Sequence, residues 1–179
     1  MVSARFVIAI GVVILFFSFG SDWIAFQSSE SMAIYTMPDT WQFLGSAYGA
    51  CGCPLSNSSI EGRFWQLFLP FLVSPGPLSV GLVLLPTGFI LAIAALFYWK
   101  TSSAAGIASI ACGALWTEGT ILIQGRVVHG LNGWFGYGGR TVSSSVTVPL
   151  GPYLSAFAGV ILLAAFILGR LDLIDTPID

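Results

Sequence analysis

Four stretches of this sequence run for roughly 20 residues with few or no charges, the length at which a helix crosses the hydrocarbon of a bilayer. They extend over about Phe6 to Phe26, Leu78 to Trp99, Ala104 to Gln124 and Gly151 to Gly169. Hydrocarbon offers no hydrogen-bonding partner, so each run must satisfy its own backbone, and a helix does that within a single segment. The composition points the same way. Only 8% of the 179 residues are charged, against roughly 25% in soluble domains, too few to coat a water-facing surface. Six Lys and Arg, none clustered, form no basic stripe for phosphates, so nucleic acid is not an expected partner. The length suits one polytopic membrane domain, residues 1–179, without a separate soluble catalytic domain. The expected fold is an all-α integral membrane protein, a four-transmembrane-helix bundle with a small extracellular β-containing loop region and a short interfacial helix.

Arg5 followed by the apolar run Phe6 to Phe17 also has the form of a signal peptide. Because the apolar character continues through Trp23 to Phe26, the segment is read as an uncleaved signal-anchor, with Asp22 and Trp23 near the headgroups. Arg5, Lys100 and Arg170 fall on one side of the four spans, and Arg63, Arg126 and Arg140 on the other. Positive charges count most in short loops beside span ends. Lys100 and Arg170 are so placed, which puts both termini in the cytoplasm and the protein in the cell membrane. The sequon Asn57-Ser58-Ser59 then lies outside, where glycosylation would need it. The acidic tail, Asp172, Asp175 and Asp179, reads as a solvated end.

Two outside loops, about 27–77 and 125–150, separate the spans. In the first, Ser58-x-x-Glu61 has capping-box spacing ahead of the apolar run Phe64 to Val73. That run is too short to cross and contains Pro70, so a short helix lying at the outer interface is expected. In the second, Asn132-Gly133 and Gly136 to Gly139 are hairpin-type turn signals. Thr141 to Val148 is rich in β-branched residues, which predicts a strand pairing with Arg126 to Leu131 or with part of the first loop.

Helices in lipid associate through small residues and a few polar contacts. Ala105, Ser109, Gly113 and Thr117 recur every four residues in the third run, as do Gly151, Ser155 and Gly159 in the fourth. These stripes are expected to face other helices, in the same bundle or in another subunit. Pro86-Thr87-Gly88 should kink the second run. Glu118 is the one strongly charged residue well inside a run; about 21 Å from Ala104 at ~1.5 Å per residue, it should sit in the outer part of a ~30 Å core. A carboxylate there is costly, so it pairs with Arg126 or Arg140, stays protonated, or handles protons. Thr117, Thr120 and Gln124 would add polarity around it, enough for a small wet cavity.

Cys112 reads as a small apolar residue within a span. Cys51 and Cys53 face the oxidising side, where they form a local disulfide, pair with a partner's cysteines or bind a soft metal with His129, and a disulfide is preferred over that copper or zinc site. No metal and no cofactor is expected. There is no phosphate loop, no GxSxG, no HExxH, no CxxC and no dinucleotide fingerprint, so the chain reads as non-enzymatic. Trp134, Phe135 and Tyr137 crowd a glycine-rich segment that resembles, in composition, the membrane-inserting loops of fusion proteins. Such rings either lie on the outer interface or contact a partner.

The plan of four helices, inside termini, a long first outside loop and a shorter second one resembles the claudin-like tetraspan proteins in topology. That resemblance implies adhesion or scaffold roles. Their first loop carries a Trp motif and two well-separated cysteines, whereas here Trp41 precedes Cys51 and Cys53, one residue apart. The expected function is that of a structural or assembly subunit acting through its loops and small-residue helix faces, on other membrane subunits or copies of itself. Two alternatives stand beside it: an accessory subunit of a respiratory or transport complex with Glu118 handling protons, and an envelope protein with a membrane-active aromatic loop.

Overall fold

A computed structural model describes residues 3–28, 32–48, 60–135 and 144–175 of the chain. Four apolar helices form the body: α1 (Ala4–Gly20), α4 (Pro77–Ala95), α5 (Ser102–Phe135) and α6 (Leu150–Arg170). Between α1 and α4 come β1 (Asp22–Ser28), β2 (Met32–Thr36), α2 (Met37–Tyr48) and α3 (Ile60–Val73), and β3 (Ser144–Thr147) lies between α5 and α6. A 3-10 turn, Trp99–Thr101, joins α4 to α5. α5 packs against α4 and α6, and α1 closes the square between α6 and α4. The helices alternate in direction. One end carries the sheet with α2 and α3; the other carries Arg5, Lys100 and Arg170.

α4, α5 and α6 are long and apolar enough to cross a membrane, and α1 is a shorter apolar helix of 17 residues. Their outward faces are largely apolar: Phe6, Val13, Phe16 and Phe17 on α1, Val83 and Ile90 on α4, Ile107 and Ile121 on α5, Phe157 and Val160 on α6 are all exposed. A girdle of that extent belongs in lipid rather than water. The interior is filled instead by Ser18, Ser109, Ser155, alanines and glycines beside Leu and Ile.

The first apolar run does not stay helical to Phe26. α1 stops at Gly20 and the chain turns into β1, because side chains take over the carbonyls that a helix end leaves unpaired. Ser21 Oγ donates to the Phe17 carbonyl at 2.7 Å and Trp23 Nε1 to that of Ser18 at 2.7 Å. Ser18 Oγ in turn donates to the Gly151 carbonyl at 2.9 Å, tying this corner to the start of α6. Trp23 and Phe26, expected at the tip of a span, are buried in the sheet instead.

The sheet has the order β2-β1-β3, both pairs antiparallel, with Ile34, Ala25 and Thr147 in register across it. β3 pairs with Ala25 to Ser28 of β1, a segment that spans the end of the first expected run and the start of the expected first loop. Arg126 to Leu131 cannot pair, being part of α5, which runs on to Phe135 and reaches about 51 Å at 1.5 Å per residue. Its buried positions Trp116, Thr120, Ile123 and Val127 keep helical spacing past Gln124, so the helix continues under the sheet. Asn132-Gly133 is therefore helical and not a hairpin turn, and Gly136 to Gly139 lie outside the described residues.

The sheet's inner face rests on α3, which fills the place of the expected interfacial helix. Phe26 stacks on Phe64 at 4.7 Å, Tyr35 on Phe64 at 6.1 Å and Phe64 on Phe68 at 5.3 Å. α2 was not anticipated. It begins at a capping box in which Thr36 N–H and Thr36 Oγ1 both donate to Asp39 Oδ2, at 2.8 and 2.7 Å, while Asp39 N–H returns a bond to Thr36 Oγ1. α4 runs through Pro86 as one helix; Thr87 Oγ1 donates to the Val83 carbonyl at 2.8 Å, beside the carbonyl that proline leaves without a helical donor.

The tail is not simply solvated. Asp172, at φ 54, closes α6 in a Schellman turn with Leu173 N–H on the Leu168 carbonyl and Asp172 N–H on that of Gly169. The chain then returns to the start of α1, where Ala4 N–H donates to the Asp175 carbonyl at 2.9 Å.

The closest helix contact is α5 on α6. A Cβ at Gly159 would stand 2.6 Å from the Gly106 carbonyl oxygen, and one at Gly106 would stand 2.8 Å from that of Gly159. Both partners are backbone, which cannot step aside. Gly159→Ala should therefore lower stability by about 1–3 kcal/mol, whereas Gly125→Ala, where an added Cβ meets nothing, should raise it by about 0.5–1 kcal/mol through helix propensity. Thermal unfolding of the two variants in one detergent measures both signs.

Candidate functional site

The stripes of small residues converge inside the chain. Ala105, Ser109 and Gly113 on α5 and Gly151, Ser155 and Gly159 on α6 are all buried. Ser155 Oγ donates to the Ser109 carbonyl at 3.0 Å, and Ser109 Oγ to that of Ala105 at 2.8 Å. A Cβ at Gly113 would meet the Pro152 carbonyl oxygen, and one at Gly151 would meet Trp23 and the Asp22 carbonyl. Cys112 is buried on the α4 side, its thiol on the Gly81 carbonyl at 3.3 Å. All of these positions are occupied by contacts within one chain.

What α5 and α6 leave open lies on their outer side. A groove of about 480 Å³ runs between them, floored by Gly113, Ala114 and Ala156 and walled by Ile110, Ile121 and Tyr153, with Glu118 as its one acidic residue. Glu118 is exposed there and has no ion-pair partner among the described residues. Arg126, eight residues further along α5, is about 12 Å up the axis, and Arg140 lies outside the described residues.

The structure also moves Glu118 toward the rim. Its neighbour Gly119 abuts Pro77 and Leu78, the first residues of α4, while Gly113, five residues earlier, abuts Pro152 and Ala156 in the first turns of α6. Glu118 is therefore level with the points where α4 and α6 begin. Sequence counting along one helix put it deeper because it could not show where the neighbouring helices end.

The expected wet cavity does not assemble. Thr117 lines the groove but donates to the Gly113 carbonyl at 2.8 Å. Thr120, two residues on from Glu118 and so about 200° around the helix, is buried on the opposite side, its hydroxyl without a partner among the described residues. Gln124 is half-buried and stands off the groove. Trp134 and Phe135 belong to the last turn of α5, while Tyr137, Cys51, Cys53 and Asn57 lie outside the described residues.

A second surface was not read from the sequence. β2 is an edge strand, and its outer face presents Met32 (64% exposed) and Ile34 (45%), with Trp41 of α2 exposed nearby in sequence. The signal was present as the alternation Met32-Ala33-Ile34-Tyr35, but it followed an apolar run already assigned to a helix.

No protein-family model matches the sequence, and no curated protein is significantly similar to it. Because Glu118 is exposed and unpaired among the described residues, Glu118→Gln should leave thermal stability in detergent within about 0.5 kcal/mol of the parent. A larger loss would mean that the carboxylate supports the bundle itself.

Proposed function

We propose that this chain is a non-enzymatic tetraspan protein of the cell membrane that works by contact, its outside sheet and loops meeting another protein. In this reading α1 is the fourth span. Its 17 residues reach about 25 Å, near the lower limit for crossing, and its outward face is as apolar as those of its neighbours. Both termini are cytoplasmic, on the side of Arg5, Lys100 and Arg170, and the sheet with α2 and α3 is outside.

The observation that carries the reading is the edge of β2, which no strand among the described residues covers, with Met32 and Ile34 on its outer face. Water does not favour apolar side chains on an unpaired strand edge, and proteins that keep such an edge use it to add a strand or a surface from a partner. The opposite face supports the assignment: Tyr35 turns inward onto Phe64, so Met32 and Ile34 are not required by the core. The small-residue stripes, spent within the chain, leave the cap as the better contact surface.

Extraction from native membranes in mild detergent, followed by native mass measurement, tests this. The parent chain should appear in a stoichiometric complex. Replacing Met32 and Ile34 together by Lys should weaken it by about 30-fold or more, the cost of losing one strong interface anchor, without changing the fold. A parent chain that emerges alone, or a complex indifferent to both lysines, would reject the reading.

A further inference from the structure

The groove between α5 and α6 has the polarity of a lipid. Its upper part holds the Glu118 carboxylate, level with the starts of α4 and α6 and just below Ile121 and Leu122; its lower end, at Ile110, is eight residues or about 12 Å from Glu118 toward the middle of the helices and wholly apolar. Between them Gly113, Ala114 and Ala156 keep the floor low. In a bilayer the upper end is at headgroup depth and the lower end among acyl chains. The volume of about 480 Å³ lies within the range of specific small-molecule sites.

Charge selects the occupant. A carboxylate binds best to a cationic donor through charge-assisted hydrogen bonds, and no cation among the described residues reaches Glu118. A primary ammonium brings three N–H donors. A quaternary ammonium brings none and is recognised instead by aromatic faces, of which the groove offers Tyr153 alone. An anionic headgroup would be repelled. A second copy related by a twofold axis along the membrane normal would set Glu118 against Glu118 at equal height, like charge against like. We therefore propose that this groove is a binding site for phosphatidylethanolamine, with the headgroup ammonium on Glu118 and one acyl chain lying along Ala114 and Ile110. The site is separate from the β2 edge and does not rest on the contact reading.

The test uses the full chain in nanodiscs containing equal parts of phosphatidylethanolamine, phosphatidylcholine and phosphatidylglycerol with identical acyl chains. Lipids retained on the protein are then counted by native mass spectrometry. The parent should hold phosphatidylethanolamine about tenfold over either competitor, the worth of one charge-assisted hydrogen bond. Glu118→Gln should erase most of that preference while Glu118→Asp keeps it, and Ala114→Trp, which fills the floor, should lower retention of all three lipids. Equal retention by the parent, or an undiminished preference in Glu118→Gln, overturns the assignment. So does a photo-crosslinker at Ile121 that captures a polypeptide in native membranes instead of a lipid. The lysine pair on β2 does not enter this readout, so each proposal fails on its own measurement.

Discussion

The bundle depends on how closely α5 and α6 approach. In water, large side chains are driven together, but in lipid they lose nothing by facing outward, and helices hold each other by backbone proximity and buried polar contacts. Gly106 and Gly159 supply the proximity, each close enough to the other's carbonyl oxygen that a methyl group would not fit. Ser155 on the Ser109 carbonyl and Cys112 on the Gly81 carbonyl add donors that reach across to a neighbouring helix. An interior closed this tightly has little space for an internal site. The Glu118 groove lies on the outer side of α5 and α6.

A second set of contacts joins this bundle to its cap. Trp116 of α5 meets Trp23 of β1 edge to face at 5.3 Å and donates its indole N–H to the Trp23 carbonyl at 3.0 Å. Trp23 itself donates to the Ser18 carbonyl, so its ring bridges the end of α1, the start of β1 and the side of α5. Burying two indoles satisfies both of their donors and leaves the strand leaving α1 only one direction. The sheet is placed by this corner more than by its own short ladders.

Helices with an unbroken apolar character were legible from sequence, and α4 and α6 begin and end within a few residues of expectation. Elements defined by long-range contact were not. Trp23 to Phe26 reads equally well as helix or strand until β3, more than a hundred residues away, is available to pair. Asn132-Gly133 carries a hairpin signal that loses to an established helix, because extending α5 places Ile123 and Val127 under the cap. Thr36-Met37-Pro38-Asp39 carries the spacing of a helix start, with Thr36 and Asp39 three residues apart and a proline between them. Glu118 stood out correctly as the unusual charge, but its level became visible only when Gly119 met Pro77 and Leu78.

The clasp between Ala4 and Asp175 has a consequence for biosynthesis. α1 is made before its main neighbour α6, before the strand β3 that completes the sheet on β1, and before the carbonyl that receives Ala4 N–H. Until α6 is made, Gly11 of α1 lacks the Leu162 side chain that packs on it and Ser18 lacks the Gly151 carbonyl that receives its hydroxyl.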